Sequence, residues 1–207
     1  MSNTTRKKRR KKKKSCGCSG FLVTALIFIL LACLLIFTDV FSVLRQKIEM
    51  QLYPLNYREY IMKASEEYDL KPEFICAVIH TESNFKSDAK SPAGACGLMQ
   101  IMPETFMWIA DLKDADVQES EIFNPLVNMD YGCYYLRYLT DHYEDLYTAC
   151  AAYNAGGIVQ SWLSDPQYST DGVTLHSIPY EETSQYVDKI RHAEEMYEKL
   201  YFSETQS

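Results

Sequence analysis

The sequence has no alternating run of apolar and polar residues long enough to predict a β-strand, and it has no internal repeat. A sheet-based or repeat fold is therefore not expected. The four histidines are not spaced as metal ligands, and the two cysteines of the segment 16–18 lack the spacing of a usual zinc pair. We expect a mainly helical protein without a metal site.

Charged residues are absent from 15–38, and the core of this segment, 21–37, is almost wholly apolar. About 20 apolar residues span a bilayer, so the segment predicts a transmembrane helix. The nine residues 6–14 before it are all Lys or Arg, and basic residues stay on the cytoplasmic side of a membrane. We therefore expect a single-pass protein of the cell membrane, with its N-terminus in the cytoplasm and its main domain outside.

These features predict four parts along the chain. They are a basic cytoplasmic tail at 1–20, a transmembrane signal-anchor at 21–44, a stalk at 45–56 and one folded domain at 57–203. Outside 6–14 the chain has 12 basic against 28 acidic residues, a net charge of −16. Because the basic run adjoins an apolar segment, we expect a membrane partner and no nucleic-acid partner.

Two other interpretations of the N-terminus stay open. A cleaved signal peptide would need a cleavage site of small residues, and no A-x-A site follows Phe37. A lipoprotein is the second, because the residues 30–33 resemble a lipidation site with Cys33 as the modified residue. The apolar run continues to Phe37, however, which favours an uncleaved anchor.

Four cysteines lie in the expected outer domain, and their redox state is open. An even number in an exported domain allows disulfides. Three of the four fall in predicted helices at positions typical of small buried residues, which equally allows free thiols. The four are Cys76, Cys96, Cys133 and Cys150.

From the stalk to the C-terminus the pattern is helical. Proline at the first position of a helix and Asn before it are start signals, and glycine after the last turn is a stop signal. Together with apolar periodicity these signals predict helices at 57–68, 72–82, 103–110, 125–142, 144–154, 158–163 and 179–202. We therefore predict an all-α domain of about 150 residues.

Glu82 extends an apolar stripe on one of these helices. Ile75, Val78 and Ile79 precede it at spacings that place all four on one helix face. Partial burial and the negative end of the helix dipole should both raise the pKa of Glu82, as a general acid requires. Periodicity alone favours the simpler alternative, a glutamate that reaches water at the end of the helix.

Four sequence motifs favour a functional role for Glu82 over the simpler alternative. They are HTESNF at 80–85, SPAGACGLMQIMP at 91–103, AAYNAGG at 151–157 and IPYEETSQYV at 178–187. In this order they resemble the soluble lytic transglycosylase family, whose catalytic domain has the goose-type lysozyme fold. The resemblance implies a lysozyme-like domain, within the α+β lysozyme superfamily, in which Glu82 is the single catalytic acid and base. The substrate-binding residues that it implies are Ser83, Gly97, Leu98, Met99, Gln100, Tyr153, Asn154, Ala155, Gly156, Glu182, Thr183 and Tyr186.

The resemblance also implies the activity. We expect a carbon–oxygen lyase that cleaves the β-1,4 bond between N-acetylmuramic acid and N-acetylglucosamine in bacterial peptidoglycan without water. The products have 1,6-anhydromuramoyl ends, and neither a metal nor a cofactor is needed. Two alternatives stay open, a hydrolytic muramidase and a non-catalytic wall-binding component of an envelope assembly.

Overall fold

The computed structural model describes residues 18–203, apart from the side chains of 18–25, 27, 29, 32, 33, 35 and 36. The predictions for the basic run 6–14 and for lipidation of Cys33 concern residues or side chains outside this description. The chain divides into two units, Met1–Lys47 and Ile48–Ser207.

The first helix, α1, extends over Cys18–Leu52. The residues 45–52, predicted as the start of a stalk, continue this helix, which ends two residues before Pro54 because a proline disfavours helical geometry in the residue that precedes it. Among the described residues, none of the helices has the length and apolarity needed to cross a membrane. The predicted transmembrane segment 21–44 is thus not supported by this part of the chain.

Seven further α-helices follow in the described part of the second unit. They are α2 Arg58–Tyr68, α3 Pro72–Ser83, α4 Pro103–Leu112, α5 Pro125–His142, α6 Leu146–Ala155, α7 Val159–Leu163 and α8 Glu181–Tyr197. The most extensive packing joins α3 to α8, and α6 contacts both α5 and α8. The helical prediction is confirmed, since within 18–203 the only β-structure is a pair of isolated bridges at Lys90–Cys96 and Cys96–Ile101.

Local capping explains where several helices begin. Proline occupies the first turn of α3, α4 and α5, where its missing N–H costs no helical hydrogen bond. Asn124 accepts a hydrogen bond from the Leu126 N–H at 3.0 Å, and Asp145 accepts one from the Thr148 N–H at 2.7 Å. The second cap starts α6 at Leu146, two residues later than predicted.

The sequence analysis missed three short features of the described chain. Two 3₁₀ helices cover Glu119–Phe123 and Gly156–Ile158, and a π-helical turn, Glu198–Phe202, ends the predicted C-terminal helix. The two 3₁₀ helices are too short for apolar periodicity to reveal them, and periodicity does not distinguish a π-helical turn from the α-helix that it ends. The four domain cysteines are free and buried, which decides between the two alternatives for their redox state.

Asn128 on α5 holds the loop between α3 and α4. It is fully buried, accepts the Met99 N–H at 2.8 Å, and donates to the carbonyls of Cys96 at 3.0 Å and Ile122 at 2.8 Å. Gly97 lies directly against it, with φ +80°, and a Cβ there would come within 2.6 Å of Asn128 Cγ. Glycine at 97 is therefore required by the packing of α5.

We expect Asn128→Ala to lower the free energy of unfolding by about 3 kcal/mol, because it leaves a buried N–H unpaired and removes two donors. Urea denaturation measures this loss. Asn124→Ala is the matched control, since it removes a single cap and should cost about 1 kcal/mol. Equal, small losses in the two variants would show that Asn128 does not hold the loop.

Candidate active site

Glu82 lies in the last turn of α3, at the end of the predicted stripe. Ile75, Val78 and Ile79 on this stripe are fully buried in the core. Glu82 itself is half-buried. The hydrophobic anchoring of α3 therefore carries the carboxyl group into a partly desolvated position, and the face assignment made from periodicity is confirmed.

Tyr186 on α8 donates a hydrogen bond to Glu82 Oε1 at 2.6 Å. Burial raises the pKa of Glu82 to about 7, and the hydrogen bond from Tyr186 acts in the opposite direction by stabilising the carboxylate. The raised pKa expected from burial is confirmed. Near neutral pH, Glu82 can therefore both give up and accept a proton.

Tyr153 on α6 completes this group. Its hydroxyl donates to the Met99 carbonyl at 2.7 Å. Burial raises the pKa of Tyr153 well above its ordinary value, and the nearby charge of Glu82 raises it further. The charge of Glu82 likewise adds to the raised pKa of Tyr186, so both tyrosines remain neutral donors beside the carboxyl group.

Ser83 connects the end of α3 to the loop. It is buried, and its hydroxyl lies 2.7 Å from the Leu98 carbonyl and 3.1 Å from the Ile79 carbonyl. A hydroxyl has one proton, so it donates to the nearer acceptor. The structure thus places Ser83 beneath the site, where it fixes the backbone that follows Glu82.

The segment 97–100 lies mostly under the site. Leu98 and Met99 are 0 % exposed, so the predicted contact of their side chains with a substrate is not available in this conformation. Met99 packs on Gly132, where a Cβ would come within 2.8 Å of Met99 Cβ. Gln100 is half-buried, and its amide donates to the Gly97 carbonyl at 2.9 Å and the Ala89 carbonyl at 3.1 Å.

Two adjoining hollows form an open groove, which we call the cleft. The first, about 280 Å³, lies between the α3–α4 loop, α5 and α6, and the second, about 470 Å³, lies at the start of α8. Residues Asn154 and Ala155 line both. The first hollow is also lined by Gln100, Ile101, Met102, Thr105, Tyr135, Tyr153 and Gly156. The second is also lined by Pro179, Tyr180, Glu181, Glu182 and Thr183.

The cleft brings most of the predicted binding residues together. Asn154 and Glu182 are exposed, while Thr183 is buried and donates from its hydroxyl to Asn154 Oδ1 at 2.8 Å. This bond leaves the Asn154 amide nitrogen available as a donor. Glu82 does not line the cleft, and Tyr153 is the lining residue that interacts with it.

Sequence reasoning missed several lining residues, above all Tyr135. The tyrosines of α5 recur at helical spacing, which favours packing, and Tyr131 does pack in the core, since it is buried and stacks on Phe106 at 4.6 Å. Tyr135 instead lies in the cleft, 5.3 Å from the ring of Tyr153. The preceding residue, Tyr134, faces Tyr68 instead. Adjacent positions on α5 therefore lie in different surroundings, one beside α2 and the other in the cleft.

Burial of the Glu82 carboxyl predicts a pH-dependent stability. The folded protein keeps this proton up to about pH 7, whereas an unfolded chain loses it near 4.5. Between these values the folded state binds more protons, so its stability falls as the pH rises and then levels off above pH 7. The glutamine variant has no such proton to lose. As the pH rises across this window, the free energy of unfolding of Glu82→Gln should therefore increase relative to wild type by up to about 3 kcal/mol.

Urea denaturation at pH 4.5, 6 and 8 measures this difference. Glu104→Gln, which changes an exposed carboxylate in the first turn of α4, is the control for introducing an amide elsewhere. A difference between Glu82→Gln and wild type that stays constant over this range would contradict the assigned burial effect.

The chain is similar to known proteins. The family model described as Transglycosylase SLT domain matches residues 59–171. The chain is 32% identical over 143 residues to the soluble lytic murein transglycosylase of Salmonella typhimurium, an alignment that covers 67% of this chain and 22% of that protein. It is 30% identical over 175 residues to the membrane-bound lytic murein transglycosylase C of Histophilus somni, covering 72% and 48% of the two chains.

A solved structure shows the same fold. The inactive mutant of lytic transglycosylase Slt from Pseudomonas aeruginosa superposes with a TM-score of 0.64 at 29% identity, over 72% of this chain and 25% of that one. The chain therefore spans about a quarter of the length of the soluble relatives that it matches. Since the family model covers more than half of its residues, the chain belongs to the transglycosylase SLT domain family.

Proposed function

We propose that this chain is a peptidoglycan lytic transglycosylase, with Glu82 as its catalytic acid and base. The observation that supports this most directly is a single half-buried carboxyl group, with a pKa of about 7, held by Tyr186 next to an open cleft. The relatives are named as murein transglycosylases. Because the chain covers only part of their length, its activity and substrate remain our proposal.

In the first step Glu82 acts as an acid. Its proton passes to the oxygen that bridges N-acetylmuramic acid and N-acetylglucosamine, and the bond from this oxygen to C1 of the muramoyl sugar breaks. The N-acetylglucosamine side leaves as an alcohol. The positive charge at C1 is stabilised by the 2-acetamido oxygen of the substrate, and Glu82 is left as a carboxylate.

In the second step the same group acts as a base. The C6 hydroxyl of the muramoyl sugar attacks C1, and its proton returns to Glu82. The product has a 1,6-anhydro ring, no water is consumed, and the enzyme regains its starting protonation state. Between the two steps Tyr186 donates a hydrogen bond to the carboxylate of Glu82. This bond stabilises the negative charge inside a partly desolvated site.

The surroundings of Glu82 support this mechanism over one with two carboxylates. Glycosidases that hydrolyse commonly use a second Asp or Glu as nucleophile or base. Within 18–203, burial and Tyr186 account for the pKa of Glu82, without a contribution from another acidic group. Asp88 and Glu104, which lie close in sequence to the second motif, are exposed, and so are Glu181 and Glu182 of the fourth motif.

The remaining predicted residues divide into two groups in this proposal. Gln100, Tyr153, Asn154, Ala155, Gly156, Glu182 and Thr183 line the cleft and would bind the glycan. Ser83, Gly97, Leu98 and Met99 lie beneath it and would act by positioning Glu82 and the loop.

The test is digestion of purified peptidoglycan, followed by mass spectrometry of the released muropeptides. Wild type should release products lighter by one water than hydrolytic muropeptides. Glu82→Gln should lower the rate at least about 100-fold, because an amide cannot transfer the proton. Glu104→Gln, the matched change at an exposed carboxylate, should keep the wild-type rate.

The alternatives give different results in the same assay. Hydrated reducing ends would identify a muramidase and contradict the lyase proposal. No release by a folded wild-type protein would favour a wall-binding role without catalysis.

We propose separately that the segment 21–44 anchors the chain in a membrane, with the catalytic domain outside the cytoplasm. The uncharged run 15–38 and the basic run 6–14 support this. One relative is also named membrane-bound. The helices of the described residues add no support, so the proposal depends on the sequence alone.

Cell fractionation tests the anchor. The wild-type chain should remain in the membrane fraction after washing at high salt and be released by detergent, and a reporter fused after Ser207 should be active outside the cytoplasm. Leu30→Arg together with Leu34→Arg should move the chain to the soluble fraction, since each charge opposes insertion. Cys33→Ser should stay in the membrane, and its release would identify a lipid anchor instead.

A further inference from the structure

We propose that three aromatic residues on α4 and α5 form a platform that extends the glycan-binding cleft along the strand. The residues are Trp108, Tyr135 and Tyr138, called here the aromatic platform. This inference rests on the proposed function, because the ligand it assigns is the same glycan strand that Glu82 cleaves. It adds a binding site beyond the residues of the four sequence motifs.

The platform is continuous with the cleft. Tyr135 lines the cleft and lies 5.3 Å from the ring of Tyr153, the residue that interacts with Glu82. Tyr138 stacks nearly parallel to Tyr135, at 6.4 Å and 14°. Trp108 stands edge-on to both rings, 5.2 Å from Tyr138 and 6.2 Å from Tyr135.

Helix geometry explains why the three rings form one cluster beside the cleft. Thr105 on α4 and Tyr135 on α5 both line the cleft. Trp108 and Tyr138 each follow one of them by three residues, which places them about 4.5 Å further along the same helix faces. Because the two helices pack on each other, these residues form one aromatic surface that adjoins the cleft.

The exposure of these rings is more than packing requires. Trp108 is 37 % and Tyr138 is 46 % exposed. Within residues 18–203, the hydroxyls of Tyr135 and Tyr138 and the indole N–H of Trp108 form no hydrogen bond to the protein. Such groups usually have a partner when they are buried in a core. The polar tips are therefore available to a ligand.

A glycan strand matches this surface chemically. Pyranose faces present C–H bonds of positive polarity to the negative faces of aromatic rings, and their rims present hydroxyl and acetamido groups to the free polar tips. Aromatic side chains also bind at a low entropic cost because they have few rotatable bonds. A membrane surface is the other partner that exposed Trp and Tyr favour, but it would not require continuity with the cleft.

The experiment compares short and long peptide-free glycan strands binding to the full chain in a Glu82→Gln background, which prevents turnover. A short oligosaccharide should occupy the cleft alone, whereas a long strand should also reach the platform. Trp108→Ala and Tyr138→Ala should each weaken the long strand about 10-fold and leave the short one unchanged, whereas Trp108→Phe should keep most of the affinity.

Tyr60→Ala is the matched control, because Tyr60 on α2 is 47 % exposed and lies outside the cleft and the platform. It should bind both ligands as the parent does. Fluorescence gives a second readout, since the chain has only two tryptophans and Trp162 is buried. In a Trp162→Phe background, long strands should shift the emission of Trp108 and short ones should not.

The outcomes separate the platform from the catalytic proposal. Wild type that produces anhydro products, while Trp108→Ala and Tyr138→Ala bind long strands normally, would overturn the platform and leave the catalytic proposal intact. A loss of short-strand binding together with a lower melting temperature would show that the rings serve stability, and would also overturn it. Loss of binding to lipid vesicles with unchanged glycan binding would assign the surface to a membrane instead.

Discussion

The structure depends on the contact between α3 and α8, which holds one carboxyl group between a buried core and an open cleft. α3 inserts its apolar stripe into the core, and Glu82 follows on the same face. α8 supplies Tyr186, whose hydroxyl meets this carboxyl group at 2.6 Å. Burial raises the proton affinity of Glu82, and the hydrogen bond keeps its ionised form accessible, so one residue can serve as acid and as base.

A second set of polar contacts positions the loop between α3 and α4, which follows Glu82 in the chain. Asn128 joins α5 to the loop by three hydrogen bonds, and Ser83 joins the end of α3 to the same loop. Tyr153 adds a bond from α6 to Met99. The buried members of the sequence motifs therefore fix the backbone beneath the site, while the exposed members face the cleft.

Much of the helical framework could be predicted because local signals determine it. Pro72, Pro103 and Pro125 mark the first turns of three helices correctly, since proline lacks the N–H that a helix interior needs. The short 3₁₀ helix Glu119–Phe123 was missed because it is too short for apolar periodicity. The redox state of the cysteines likewise required the three-dimensional positions of the thiols.

The sequence by itself determined the family resemblance, the face of α3 that carries Glu82 and the direction of its pKa shift. Only the tertiary structure decided which motif residues reach the cleft. Leu98 and Met99 belong to a motif yet are fully buried, whereas Tyr135 lies outside every motif and lines the cleft. The physical reason is that periodicity reports one helix face at a time, while access to a groove depends on the elements packed against that face, which are distant in sequence.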